Sequence, residues 1–327
     1  MSEKKEVRNL NRICPICFMT LEPKGSCFFC SVHSSDVKNP SLTLPTRSVL
    51  GKRYFVGKLL GEGGFGITYK AWDLDLSKAV AIKEFFPKGY TDRNSTLGIV
   101  PASEHEKAFR HWLGAFIKEA NILAETNQLR GVVRISDFFQ ENGTAYIVTD
   151  FLDGVSLRTH MNMMGGRIHW RDALAMMKPV LESLHALHLK EIIHNDISPE
   201  NIMIVKNIVV KLIDFGAATS YNNPIERPYI VLKPGFSPIE SYSAKAKKGP
   251  YTDIYQIAAT LYNMITGVIL PEAINRDKKQ ITPPSKMGIE VPPIVENTLL
   301  KALNVAAEAR YQTIQHFSQY LFGGVLS

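Results

Sequence analysis

Apolar and polar side chains alternate from Tyr54 to Leu60, and strand-forming residues return at Ile67–Trp72 and in the apolar run Val80–Ile82. A period of two places one face of a strand on a core, so three strands are expected here. The period then changes. Between Glu104 and Asn127, Phe116, Ile117, Ala120 and Leu123 fall at helical spacing. Residues 132–139 and 144–150 read as two further strands joined by Glu141-Asn142-Gly143. From Trp170 to Lys190 a stripe of Leu174, Met177, Leu181, Leu184 and Leu187 predicts a helix whose stripe is core. Glu191 to Val205 reads as strand, tight polar turn, strand, and another apolar strand ends at Ile213. Strands dominate before Phe151-Leu152-Asp153-Gly154 and helices after it. The pattern is α+β, with that tetrapeptide as a hinge.

The first fifty residues lack either period. Ser31–Ser48 is rich in Ser, Thr and Pro and reads as a linker. The chain divides into a small N-terminal segment (1–33), a linker (34–50) and a body (51–323), the body splitting into parts of about 51–150 and 154–323. Composition is that of a globular protein, 45% hydrophobic and 21% charged. The net charge of +7 is spread thinly, with small clusters such as Lys245, Lys247 and Lys248, so no nucleic-acid partner is expected. The polar start resembles no signal peptide, and the longest apolar stretch, Ile257–Leu270, is broken by Thr260, Asn263, Thr266 and Gly267. A soluble, cytoplasmic protein without a transmembrane segment is expected.

All 4 cysteines lie near the N-terminus, in the pairs Cys14-Pro-Ile-Cys17 and Cys27-Phe-Phe-Cys30. Two facing CxxC turns supply tetrahedral sulfur coordination, which points to Zn2+ rather than to disulfides in a reducing compartment. A segment this short cannot build a core, so the ion would provide its folding energy. His33 is a substitute ligand or, more simply, a solvated loop residue. The segment resembles a zinc ribbon, a module that more often docks a partner than catalyses.

The body carries a second set of signals. Gly61, Gly63 and Gly66 spell G-x-G-x-x-G between two strands, which suits a hairpin lying over a phosphate chain better than a dinucleotide site. Val80-Ala81-Ile82-Lys83 puts one lysine on an apolar strand. Its carboxylate partner is expected to be Glu119, with Glu106 and Glu125 as alternatives, since Glu84 points to the opposite strand face. His194-Asn195-Asp196 is followed by Asn201. Lys211-Leu212-Ile213-Asp214-Phe215-Gly216 then places a hard oxygen ligand before a glycine turn, as Mg2+ requires.

In this order the elements resemble those of eukaryotic-like serine/threonine protein kinases over about residues 50–322. The wording GEGGFGITY, VAIKEFFPKGY, IVTDFLDG, LIDFGAA and VLKPGFSPIESY is similar to a bacterial group whose members often carry a Cys-rich ribbon in front. The resemblance implies a small β-rich N-lobe, a larger helical C-lobe and transfer of the γ-phosphoryl of Mg·ATP (or Mn·ATP) to protein Ser/Thr hydroxyls, with autophosphorylation. It implies Asp196 as the catalytic base and Asn201 and Asp214 as metal ligands, with Lys83 on the α- and β-phosphates. ATP would be held by Leu60, Gly61, Glu62, Gly63, Gly64, Phe65, Gly66 and Thr68 of the hairpin. Ala81, Asp150 and Leu152 would complete that site, with Thr149 as gatekeeper. Ser237-Pro238-Ile239-Glu240 stands for the A-P-E motif, Glu240 pairing with Arg310. Asp253 would hold the catalytic-loop backbone.

Three departures stand out. Asn195 replaces the arginine that binds an activation-segment phosphate. None of Thr219, Ser220, Tyr221, Tyr229 or Ser237 is therefore expected to act as a strict on-switch. Ser198 replaces the lysine that touches the transferring γ-phosphate, a loss of charge that needs compensation. The polar loop Lys88–Ser103 is extra, and a docking or regulatory insertion is one reading. Against the kinase reading stand a nucleotide-binding pseudokinase scaffold and a small-molecule kinase. The first predicts loss of Lys83, Asp196 or Asp214. The second predicts no A-P-E-like segment with an Arg310 partner.

Overall fold

The computed structural model describes residues 10–206, 209–222 and 232–323. The chain forms two compact units, residues 1–120 with 135–151 and residues 121–134 with 152–327, so a boundary falls between Phe151 and Leu152. The first unit is β-rich and the second helical, as the resemblance implies.

In the first unit β1 (Val49–Leu50), β2 (Tyr54–Glu62), β3 (Gly66–Asp73) and β4 (Lys78–Phe85) form an antiparallel sheet. After the short pair β5 (Thr91–Arg93) and β6 (Ile99–Pro101) comes helix α1 (Glu106–Glu125). The strands β7 (Ile135–Glu141) and β8 (Thr144–Asp150) complete the six-stranded order β1-β2-β3-β4-β8-β7. Alternation puts Ile67, Tyr69 and Ala71 of β3 on the buried face, beside Val80 and Ile82 of β4. Phe85 of β4 meets Phe109 and Phe116 of α1 at ring separations of 5.3 and 5.5 Å. That joins the helix to the sheet.

Two expectations are adjusted. The strand read from Val132 begins only at Ile135, because Val132 pairs instead with Leu212 in a parallel bridge of the second unit. The extra loop Lys88–Ser103 is not unstructured: it contains the β5–β6 hairpin, whose turn is closed by the Asn94 side chain accepting from Thr96 and Gly98 amides. The linker residues 37–48 have no helix or strand. Leu44 is nonetheless buried, and its amide donates to the Tyr69 hydroxyl at 2.9 Å.

The second unit begins with β9 (Gly154–Ser156), α2 (Leu157–Met163) and α3 (Trp170–Leu189). The segment that holds the catalytic signals follows as β10 (Ile192–Ile193), β11 (Ile202–Val205), β12 (Val209–Leu212) and β13 (Thr219–Ser220). Then come α4 (Pro250–Thr266), α5 (Pro293–Ala302) and α6 (Ile314–Gly323). The stripe of α3 is buried at Leu174, Met177, Leu181, Leu184 and Leu187 and packs on α4 and α6. Pro250 opens α4 where no amide is needed, and Gly267 closes it at φ 76°, a backbone angle that favours glycine. Among the described residues no helix is long and apolar enough to cross a membrane.

Candidate active site

The glycine hairpin joins β2 to β3, and the Gly63 amide donates to the Gly66 carbonyl at 2.8 Å. A Cβ at Gly61 or Gly64 would meet nothing within 4 Å, and one at Gly63 only the Gly66 carbonyl at 3.8 Å. Packing therefore does not demand glycine at these three positions, and the backbone there is open to close approach. Gly66 differs: a Cβ there would press the Glu84 carbonyl at 3.0 Å. Within the hairpin Leu60 is exposed, Glu62 pairs with Lys88 at 2.7 Å and Phe65 stands edge-on to Trp112. Thr68 lies opposite Lys83, and Ala81 opposite Thr149. Asp150 at the end of β8 accepts from Lys78 at 3.0 Å, and Leu152 opens the second unit.

Alternation along β4 sends Lys83 and Glu84 to opposite faces. Lys83 Nζ donates to Glu119 Oε1 of α1 at 2.9 Å, and Glu119 is nearly fully buried. The alternative Glu106 pairs instead with Arg110 on the exposed side of α1. Glu84, wholly buried, accepts from Arg93 of the β5–β6 hairpin at 2.6 Å and from the hydroxyls of Tyr69 and Tyr146, both at 2.9 Å. This carboxylate pushes both phenols up, after burial itself, while Arg93 compensates its charge.

In the second unit β11 and β12 form a hairpin and β10 pairs with β13, so the loop 194–201 is pinned at both ends. From below, α4 holds it through two side chains one helical turn apart. Asp253 accepts the amides of His194 (2.9 Å) and Asn195 (2.8 Å), and Gln256 accepts the Ile197 amide (2.9 Å) while donating to the Asn195 carbonyl (3.1 Å). Asn195 takes φ 63°, a left-handed angle that asparagine tolerates. Its side chain is buried, with the amide 3.4 Å from the Ala217 carbonyl. It offers no cation for a phosphate.

Asp196 follows. Its Oδ2 accepts from Asn201 Nδ2 at 2.7 Å, and Asn201 also reaches the Asp196 carbonyl at 2.9 Å. Burial, with the charge of Asp214 adding to it, raises the Asp196 carboxyl to about 6, although Lys233 and Asn201 pull the other way. Lys233 Nζ lies 3.6 Å from Asp196 Oδ2 and 2.9 Å from Ser198 Oγ. Asp214 has φ 59° and caps the turn by accepting the Gly216 amide at 3.1 Å. Phe215 is buried edge-on against His194, whose imidazole is pushed down by burial. Glu240 and Arg310 form a buried two-point ion pair at 2.8 and 3.1 Å, and Glu240 also accepts from Thr252. Of the candidate phosphosites, Thr219 and Ser237 are buried, Ser237 accepting the Lys233 amide at 2.8 Å. Tyr229 lies outside the described residues.

At the N-terminus the four cysteine sulfurs lie within 4.8 Å of one another and form no disulfide. The two CxxC turns repeat one geometry. The Phe18 amide donates to the Cys14 carbonyl and the Ser31 amide to the Cys27 carbonyl, and both donors have positive φ. Burial holds Cys17 up at about 12, whereas Cys27, against its own burial, is drawn down to about 7 by the backbone at Cys30 and by Cys17. His33 is engaged elsewhere, with Nδ1 2.6 Å from Ser35 Oγ and Nε2 2.8 Å from the Lys24 carbonyl. Four converging thiols without a disulfide fit a Zn2+ ion.

The structure thus brings Lys83 to Glu119 in one unit, and Asp196 to Asn201 over Asp253 in the other. Sequence reasoning passed over Gln256, Arg93 and Lys233. Gln256 could have been found as the residue one turn beyond Asp253 on the same face. Lys233 had no spacing signal.

Residues 54–299 match the family model described as "Protein kinase domain". The chain is 29% identical over 273 residues to "Serine/threonine-protein kinase PrkC" of Bacillus subtilis, covering 80% of this chain and 39% of that protein. It is 28% identical over 287 residues to "Serine/threonine-protein kinase PknB" of Mycolicibacterium smegmatis, covering 83% and 42%. The chain therefore spans about two fifths of the length of these relatives. A solved structure titled "PpkA-294 apo form" superposes with a TM-score of 0.75 at 31% identity, covering 86% of this chain and all of that one. The matched model spans most of the chain and includes every motif described above except the cysteine cluster and Arg310, and on that ground the chain belongs to the protein kinase domain family.

Proposed function

We propose that the chain is a serine/threonine protein kinase that transfers the γ-phosphoryl of Mg·ATP (or Mn·ATP) to Ser/Thr hydroxyls of proteins, its own included. The observation that carries this reading is Asp196, a buried carboxyl raised to about 6 and oriented by Asn201, which supports a role in accepting a hydroxyl proton near neutral pH. Lys83, positioned by Glu119, would contact the α- and β-phosphates, and no Cβ obstructs the hairpin's glycine backbone on their side. Asp214 and Asn201 offer hard oxygen ligands beside Asp196, in a site where acidic groups repel one another until a cation enters. Mg2+ there would neutralise phosphate charge. Zn2+ in the cysteine cluster would have a structural role, and a docking partner for the ribbon belongs to the same proposal. Four free thiols suit the cytoplasm, where thiols stay reduced.

The test is phosphate transfer from labelled Mg·ATP by the purified protein and by Asp196→Asn and Asp214→Asn, with modified residues mapped by mass spectrometry. Label on Ser or Thr that both variants abolish is the expected result. ATP binding without transfer by the unaltered protein would overturn the proposal in favour of a scaffold.

A further inference from the structure

Transfer of a phosphoryl group spreads negative charge over three oxygens, and a cation beside the acceptor base stabilises it. In this chain the loop carrying Asp196 has no lysine: Ile197, Ser198, Pro199 and Glu200 follow it. Ser198 is fully buried, so a hydroxyl, not a charge, occupies that place. Yet an ammonium is there. Lys233 reaches in from the segment after β13, with Nζ 2.9 Å from Ser198 Oγ and 3.6 Å from Asp196 Oδ2.

This lysine is held. The Lys233 carbonyl accepts the amides of Phe236 and Ser237, both at 2.9 Å, and its own amide donates to Ser237 Oγ. The turn passes through Gly235 at φ 82°, where a Cβ would strike Ile269 and the Leu270 carbonyl, and Phe236 and Ser237 are buried. An ammonium can donate three hydrogen bonds. Among the described residues its side-chain partners are Ser198 and, by charge, Asp196, so a phosphoryl oxygen can be a third acceptor.

We propose that Lys233 is a catalytic residue, supplying from the activation segment the cation that contacts the transferred γ-phosphoryl and that Ser198 cannot supply. The proposal rests on the kinase reading. In the step, the acceptor hydroxyl oxygen bonds to the γ-phosphorus and the bond from that phosphorus to the β,γ-bridging oxygen breaks. The hydroxyl proton passes to Asp196, and ADP leaves with the electron pair. Lys233 takes no part in the proton transfer and gains its contact as charge builds on the phosphoryl oxygens. Ser198 Oγ, a neutral acceptor, aims the ammonium without competing for its charge. This arrangement also makes transfer depend on the 233–237 turn being formed, which links activity to the order of this segment without a phosphate.

The experiment uses the full chain, Mg·ATP and dephosphorylated casein as acceptor, with Asp196→Asn as the blank. Lys233→Met is expected to lower kcat by roughly 10²–10³-fold with the KM for ATP changed by less than about 3-fold. Lys233→Arg is expected to recover well over half of the logarithmic loss. In the double variant Ser198→Lys/Lys233→Met, a cation returned from the loop side is expected to recover about 10-fold or more over Lys233→Met. Lys233→Met within about 3-fold of the unaltered protein would overturn the role while leaving the kinase reading intact. A large loss that neither Lys233→Arg nor the double variant restores would also overturn it, leaving Lys233 as a tether of the turn. An unaltered protein no more active than the blank would overturn the kinase reading and this role together.

Discussion

The surroundings of Asp196 bear on stability and, on the proposed kinase reading, on rate. Its carboxyl is raised to about 6 by burial first and by Asp214 second, with Lys233 opposing. Only the carboxylate accepts a proton, so kcat/KM is expected to rise with pH through about 6 and then level off, as a pH profile would record. Lys233→Met removes the opposing cation, so that limb is expected to move to higher pH. The stability effect has the opposite sense. The folded chain holds this proton more tightly than the unfolded chain, so stability falls as pH rises from about 4 to about 6. Asp196→Asn in the nucleotide-free protein is therefore expected to unfold less readily at pH 7.5, by on the order of 1–3 kcal/mol, and to show no such gain near pH 4. Denaturant titrations at the two pH values check this. An Asp196→Asn variant no more stable than the unaltered protein at neutral pH would mean the carboxylate is not strained by its site.

At the scale of elements, the β5–β6 hairpin and α4 place polar groups, Arg93 and Gln256, where local sequence does not announce them. The hairpin brings Arg93 to Glu84, both buried, with Tyr69 and Tyr146 completing the network. Removing one partner leaves an uncompensated buried charge. Arg93→Met is expected to cost about 3–5 kcal/mol, whereas Arg93→Met with Glu84→Leu should cost much less. Chemical unfolding of the single and double variants decides between them. This gives the loop Lys88–Ser103 a role inside its own unit. In α4, Asp253 and Gln256 order four backbone groups between His194 and Ile197. Gln256→Leu orphans the Ile197 amide and Asn195 carbonyl. On the proposed kinase reading it is expected to lower kcat by about 10-fold while changing the KM for ATP little, since it would loosen Asp196 and leave the nucleotide contacts alone.

Over the molecule, the cysteine segment is part of the first unit and no free appendage. Phe18 packs against Phe55 and Trp72, Lys58 donates to the Pro15 carbonyl at 3.0 Å, and Lys70 donates to the Ile16 carbonyl at 3.2 Å. Gly57 of β2 lies so close that any Cβ would strike the Pro15 carbonyl and the Phe18 ring. Loss of a Zn2+ held there, as proposed, would therefore be felt in the sheet. Chelation, or Cys14→Ser, is expected to lower the melting temperature of the whole chain, by roughly 2–4 °C for each kcal/mol of lost docking. Gly57→Leu should do the same with the cysteines intact. Calorimetry that finds the main transition unmoved after chelation would mean the segment holds its shape and its contacts without metal.

Strand and helix identity was legible because periods of two and three to four leave residues such as Ile67, Tyr69 and Ala71, or Leu181 and Leu184, no other way to bury one face. The order of the chemical motifs was legible too, since glycine, lysine and carboxylate chemistry is tied to short local turns. What the residues could not disclose alone was which distant groups meet. Lys83 had three candidate partners on α1, and rotation of that helix against the sheet selected Glu119. Ser198 read as a missing charge until the turn 233–237 folded back and brought Lys233 beside it. The physical reason is the same in both cases. Local pattern depends on neighbours within a few positions, whereas a buried charge finds its partner through packing of segments that share no spacing.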